Sequence, residues 1–262
     1  MSITKAISVT TRAKRENEVN NSTYKYITKE EYKFLEQENL LLQKVEFGNE
    51  KYGYEFDEFK NMKEATIIMG GSGTGKDSIV DELVSNPKYS SFYKIKDLKL
   101  IITIPSKAPI FIEYLKENFD IKSKLIYIEV SKPKRMKRLI ESFIKKDLIF
   151  KRIIKEIKIV KGQINIEYNL LETSKINIKL FKEKEKEINH KIKEIKLRIN
   201  RDDNLFQEEL YELSKEYSNE IIILNNNNLT LFQACKEVLT KQPLELKKVQ
   251  KVQKTKKINI LV

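Results

Sequence analysis

Cysteine and histidine are almost missing from this chain: one of each, Cys235 and His190, occurs in 262 residues. A lone cysteine cannot close an internal disulfide, and a lone histidine cannot build a histidine-rich metal centre. No apolar run approaches the roughly 18 residues that a membrane-crossing helix needs. Met1 to Arg15 is largely polar, without the apolar stretch of a secretory signal. These absences lead us to expect a cytoplasmic, reducing setting and no membrane contact. Glycine is scarce as well, and four of the seven fall within Gly70–Gly75.

The chain is long enough for one or two domains with a sizeable core. Its 51 basic and 38 acidic residues leave a net charge of +13, which would suit phosphate-bearing ligands, nucleic acid or an anionic surface. Much of that excess is compositional. Lys241–Val262 alone holds seven lysines against one glutamate and reads as a solvated basic tail. A nucleic-acid partner is therefore not expected.

Texture divides the chain into 1–60, 61–142, 143–218, 219–240 and the tail 241–262. In the first part a helical stretch, Glu30–Leu42, follows short apolar alternations. Beyond it, Ala65–Met69, Leu98–Ile104 and Lys124–Val130 read as buried strands. They alternate with helices at Ser78–Val84 and Phe111–Phe119, the pattern of a parallel sheet with crossover connections. Residues 132–218 read as almost wholly helical. The recurrence of Ile153, Ile157, Ile164, Leu171, Ile178, Ile188, Ile192 and Ile195 suggests one or two long amphipathic helices, such as a helical hairpin. Its apolar stripe suits core packing or a homodimer surface. Ile221–Leu224 and Leu229–Leu239 form a last strand–helix unit, with Cys235 as a small core residue and His190 on a solvated helix face.

The richest stretch runs from Ile67 to Ser78. A buried strand enters Gly70-Gly71-Ser72-Gly73-Thr74-Gly75-Lys76-Asp77-Ser78 and an amphipathic helix leaves it, the context of a phosphate-binding loop. Without Cβ atoms such a loop can curl until successive N–H groups point at phosphate oxygens. The helix N-terminus adds its positive dipole end. Lys76 would reach the outer phosphates of ATP as a point charge. Asp77 stands where a hydroxyl usually meets Mg²⁺, and Ser78 follows it. Either could serve the metal, or Asp77 simply suits the first helical turn.

Upstream, Ser8-Val9-Thr10-Thr11-Arg12-Ala13-Lys14-Arg15, the acidic Glu16 and Glu18, Tyr24-Lys25-Tyr26 and Tyr52-Gly53 closely resemble the monophosphate-binding segment of guanylate kinases. Two arginines three apart also suit a phosphate dianion in their own right. The resemblance continues through Leu125-Ile126-Tyr127-Ile128, Ser131 and Arg138-Leu139 to the last strand and helix, covering 180–190 residues. It implies a P-loop NTPase-type α/β fold: a parallel sheet flanked by helices, a small monophosphate-binding subdomain and a long helical lid insertion. It further implies transfer of the ATP γ-phosphoryl to GMP or dGMP with Mg²⁺. Arg12, Arg15, Tyr24 and Tyr52 would hold the acceptor phosphate, and Ser8 and Gln43 would touch the base. Arg138, Arg198 and Arg201 would close over the transfer.

Three departures stand out. The monophosphate-binding segment precedes the phosphate loop instead of following it, a transposition of one segment. Gln43 stands where the family reads guanine with a glutamate, and glutamine cannot accept two donors as a carboxylate does. The family's Asp-x-Asp is replaced by the region of Thr103 and Pro105. Two further readings follow: a kinase for another (deoxy)nucleoside monophosphate, and a guanylate-kinase-like binding module without catalysis. A nucleic-acid-binding ATPase using the basic tail is a weaker third.

Overall fold

The structure is a computed structural model that describes residues 2–241, apart from positions 17, 23, 48, 61, 96, 122, 161 and 218–220. The first part contains Ile3–Lys5 (β1), Val9–Thr10 (β2), Lys25–Tyr26 (β3), Lys29–Gln37 (α1), Leu41–Phe47 (β4) and Glu50–Glu55 (β5). Next come Glu64–Met69 (β6), Lys76–Ser85 (α2), Lys88–Phe92 (α3), Leu98–Thr103 (β7), Ala108–Phe119 (α4) and Ser123–Glu129 (β8). Lys132–Ile144 (α5), Leu148–Ile153 (α6), Ile154–Val160 (β9), Gln163–Tyr168 (β10), Leu170–Thr173 (α7) and Ile178–Glu216 (α8) follow. Ile221–Asn225 (β11) and Leu231–Thr240 (α9) close the described chain. The tail from 242 onward lies outside the described residues.

Five strands pair in the order β1-β7-β6-β8-β11, and all four pairings are parallel. Every residue of β6 after Glu64 is buried, as a strand covered on both faces requires. On one face Ile68, Leu100, Ile126, Ile128, Ile222 and Leu224 pack against Ile79, Val80 and Leu83 of α2 and Ala234, Cys235 and Val238 of α9. On the other, Ala65, Ile67, Met69, Ile101, Leu125 and Ile221 meet Phe59, Phe111, Ile112 and Leu115, together with Leu213 of α8. This is the P-loop-type α/β fold expected from the sequence. β1, which no sequence pattern picked out, joins the sheet at its edge beside β7. The first part of the chain therefore supplies a core strand as well as a separate four-stranded sheet, β3-β2-β5-β4.

Two expectations need correction. The helix placed at Glu30–Leu42 ends at Gln37, and Leu41 already begins β4. Its Thr28–Glu31 capping box fixes the start, while Asn39, in the left-handed region at φ 53°, ends it. Only Tyr32 of its apolar residues is fully buried, and Phe34 is exposed. Residues 132–218, expected to be almost wholly helical, instead contain an antiparallel hairpin, β9–β10. Ile157 and Ile159 of one strand, and Ile164 and Ile166 of the other, alternate with charged or polar residues, a period of two embedded in the longer recurrence. Leu171 and Ile178 are exposed and take no part in a core stripe. The true stripe runs along α8 through Ile188, Ile192, Ile195 and Ile199 and packs on Met136, Ile140 and Ile144 of α5 and on Phe150, Ile153 and Ile157. His190 is exposed, facing Glu194 at 3.5 Å.

Candidate active site

The C-terminal ends of the parallel strands open into a cleft of about 700 Å³, the position where open α/β sheets bind ligands. One wall is the glycine loop after β6. Gly73 and Gly75 adopt φ of 78° and 87°, backbone that favours glycine, and Gly75 caps α2 so that Lys76 is its first residue. The Thr74 hydroxyl donates to the Gly71 carbonyl at 2.9 Å, and the Asn226 side-chain amide donates to the Thr74 carbonyl at 2.9 Å. The loop is thereby tied to the turn after β11.

Gly70, Ser72, Lys76 and Asp77 line the cleft. The Lys76 ammonium lies 3.4 Å from the Asp77 carboxylate. Gly71, Gly73, Thr74 and Gly75 form the loop's body without lining the cleft, and Ser78 is exposed on α2 away from it. No group of three or more His, Cys, Asp or Glu able to hold a metal occurs among the described residues. Mg²⁺ bound with a nucleotide needs only one or two carboxylates, the rest of its shell coming from phosphates and water. Asp77 fits that need, and Ser78 does not.

The opposite wall comes from the small sheet. Ser8, Arg12, Arg15, Tyr24, Gln43 and Tyr52, the six residues expected on the acceptor side, all line this same cleft. Thr10 and Thr11 shape the turn that carries Arg12. The Thr10 hydroxyl oxygen accepts the Arg12 N–H at 3.2 Å, and the Thr11 hydroxyl donates to Glu50 and accepts from the Lys51 N–H, each at 2.9 Å. The Arg12 guanidinium lies 5.5 and 5.7 Å from the ring centres of Tyr24 and Tyr26, favourable positions for a cation. Its Nη2 donates to both oxygens of Glu18, at 2.8 and 3.0 Å. Burial opposes ionisation of Glu18, but bonds from Arg12 and the Arg15 N–H bring its pKa down to about 2. The same pairing, working against burial, holds the Arg12 pKa above its ordinary value. Burial first, then the charges of Asp77 and Tyr52, push the Tyr24 hydroxyl up to about 12, so it is a neutral donor at physiological pH.

Gln43 is buried, and its Oε1 faces the Thr103 hydroxyl at 3.4 Å. Gln43 and Thr103 thus give the cleft floor a neutral pair.

The three arginines expected to close over a transfer separate. Arg198 and Arg201 on α8 line the cleft. Arg138 does not: its guanidinium donates to the Thr74 carbonyl at 3.1 Å and the Asn226 carbonyl at 2.8 Å, with Gly73 O at 3.4 Å. It fastens α5 to the loop's outer side, and burial lowers its pKa.

Several site residues went unread in the sequence. Lys5 lines the cleft beside Asp81 at 3.1 Å. Arg135, nearly buried, donates from Nε to the Ser72 carbonyl at 2.8 Å and pairs through Nη1 with Asp203. Asp202 accepts the Ser72 N–H at 2.7 Å. A signal for Asp202 did exist. It sits three residues after Ile199 and four before Phe206, on the buried stripe of α8, where an acidic residue is out of place.

No protein-family model matches the chain, and no curated protein matches it. Among solved structures, the guanylate kinase from Anaplasma phagocytophilum aligns at 23% sequence identity over 48% of this chain, with a TM-score of 0.28. The alignment spans half the length of that protein.

Proposed function

We propose that this chain is an ATP-dependent nucleoside monophosphate kinase of the guanylate kinase type, moving the γ-phosphoryl of ATP to GMP or dGMP. What carries this reading is one cleft. The glycine loop with Lys76 forms one wall, and the residues that resemble the family's acceptor segment form the other. Two phosphate-binding devices, each suited to an anion by its own chemistry, thus face the same space. Such a reaction asks mainly for placement and positive charge.

In this reading Gly70–Lys76 cradles the ATP phosphates, and Arg12 and Arg15 grip the acceptor phosphate with hydroxyls from Tyr24 and Tyr52. An oxygen of that phosphate attacks the γ-phosphorus. The new O–P bond forms as the bond from the γ-phosphorus to the bridging oxygen breaks, and ADP leaves. Arg198 and Arg201 supply charge over the transferring group. Asp77 would hold Mg²⁺, which when bound neutralises charge between the outer phosphates.

One observation favours a second reading, a different acceptor base. Gln43 with Thr103 presents an amide where a carboxylate would suit guanine's two adjacent donors. The test is Mg²⁺-dependent ADP release from ATP with each common ribo- and deoxynucleoside monophosphate, beside Lys76→Ala. Turnover with GMP or dGMP that Lys76→Ala abolishes is the expected result. Turnover with another acceptor moves the specificity to the second reading. Binding without turnover would replace the kinase by a binding module.

A further inference from the structure

The phosphate loop already holds an anion, and that anion is a side chain. The Ser72 N–H donates to Oδ2 of Asp202 at 2.7 Å, in a bond buried on both sides. In a loop whose amides are suited to phosphate oxygens, a carboxylate oxygen at this distance stands where a phosphate oxygen would. Burying a carboxylate is costly unless it is bonded, so its place on the apolar stripe of α8 calls for a reason.

A second feature of the same spot points to a ligand. Nη2 of Arg135 is buried, and it has no hydrogen-bond partner among the described residues. It faces Asp202 Oδ2 at 3.6 Å, beyond hydrogen-bond distance. A Cβ on Gly71 would lie 2.7 Å from this nitrogen and 3.4 Å from the Asp202 oxygen. Guanidinium and carboxylate are thus pressed onto the bare backbone of the loop. An unsatisfied charged donor in such a place is held ready for an anion with more acceptor oxygens than one carboxylate offers.

We propose that Asp202 is a surrogate phosphate: it orders the glycine loop before nucleotide arrives, and a nucleoside triphosphate binds by expelling it. The incoming phosphate takes the Ser72 amide and Nη2 of Arg135. The inference rests on the nucleotide binding proposed above and adds its consequence for the acceptor. α8 is continuous from Ile178 to Glu216. Arg201 adjoins Asp202 and Arg198 lies about one turn earlier, and both line the acceptor cleft. Expelling Asp202 therefore moves the two arginines that face the acceptor, so that filling the donor site sets the charge over the transfer.

The masked site lowers apparent affinity by the fraction of molecules in which Asp202 is withdrawn. A charge-assisted hydrogen bond of ordinary strength makes this about a tenfold to hundredfold effect. The test is calorimetric titration of the full chain with ATP and, separately, with inorganic tripolyphosphate, which reports on the loop without a base. Asp202→Ala should tighten both ligands about tenfold or more. Asp202→Asn, which keeps the shape and loses the charge, should tighten them less. Glu208→Gln, an exposed charge change on the same helix, should leave them nearly unchanged. Suppose wild type binds ATP in a Lys76-dependent way while Asp202→Asn, folded by thermal melt, binds no tighter. The surrogate is then overturned and nucleotide binding stands. If neither wild type nor the Asp202 variants bind either ligand, both readings fall. Binding by the variants alone would be the strongest support.

Discussion

Replacing Gly73 with alanine probes how closely α5 approaches the glycine loop, and Gly162→Ala supplies its control. Both glycines have nearly the same backbone, φ 78° at Gly73 and 79° at Gly162. The dihedral cost of a side chain in the left-handed region, about 1–2 kcal/mol, is therefore common to both. Their surroundings differ completely. A Cβ at Gly162 meets nothing within 4 Å, whereas one at Gly73 would lie 2.8 Å from the Arg135 carbonyl oxygen and 3.1 Å from the Arg135 Cα. These are main-chain atoms at the start of α5, held by the Arg135 and Arg138 bonds to the loop, and they cannot rotate away. Overpacking of this kind costs about a further 1–3 kcal/mol. Urea denaturation should thus show Gly162→Ala losing about 1–2 kcal/mol and Gly73→Ala about 2–5 kcal/mol. ATP affinity should fall only for Gly73→Ala. Equal losses for the two variants would refute the reasoning, because they would mean that α5 does not rest on the loop.

Acid titration should expose the Arg12–Glu18 pair. A carboxylate lowered from 4.5 to about 2 contributes stability that is full above pH 4.5 and is lost as pH falls toward 2. With Glu18 mostly shielded from solvent, this amounts to about 1–3 kcal/mol. Glu18→Gln should therefore be less stable than wild type at pH 7 and match it near pH 2. A constant difference across that range would assign the effect to packing. At the cleft floor, Gln43→Glu should raise kcat/KM for GMP about tenfold or more relative to other acceptors, since it restores acceptance of two adjacent donors. Unchanged relative rates in an acceptor panel would remove residue 43 from base reading.

The parts of the molecule legible in the sequence share a physical trait: their pattern admits few alternatives. Glycine clustered between a buried strand and an amphipathic helix has few other uses, and four of the five parallel strands carry apolar runs of three or four residues. The insertion was harder because isoleucine and lysine serve strands and helices alike. Ile153, Ile157 and Ile164 satisfy a helical recurrence, yet Ile157, Ile159, Ile164 and Ile166 build a hairpin around the Gly162 turn. β1 has three residues, too few to show any period, and only its pairing with β7 reveals it. Among site residues, Arg12 and Tyr24 were findable from a local run. Asp202 left only the trace of a charge on an apolar stripe, and Arg135 and Asp203 left none, because their meaning comes from contact between α5, α8 and a loop 60 to 130 positions away. Arg138 shows the complementary case. Its position in the Arg-Leu pair was plain, but its bonds to main-chain carbonyls are a property of the assembled fold.

The edge strand β1 also has a kinetic consequence. Ile3 pairs with Leu98, about 95 residues later, so during synthesis at ~5–20 residues per second the strand waits about 5–20 s for its partner. In the later part of that interval, once Glu55 has been made, the small sheet with Arg12 and Tyr24 can form by itself, since its pairings all lie between Val9 and Glu55. Docking it against the glycine loop must wait for closure of this long chain loop, a slow, non-local event. Within the region from β1 to β7, the small-sheet wall of the cleft is thus made early and attached late.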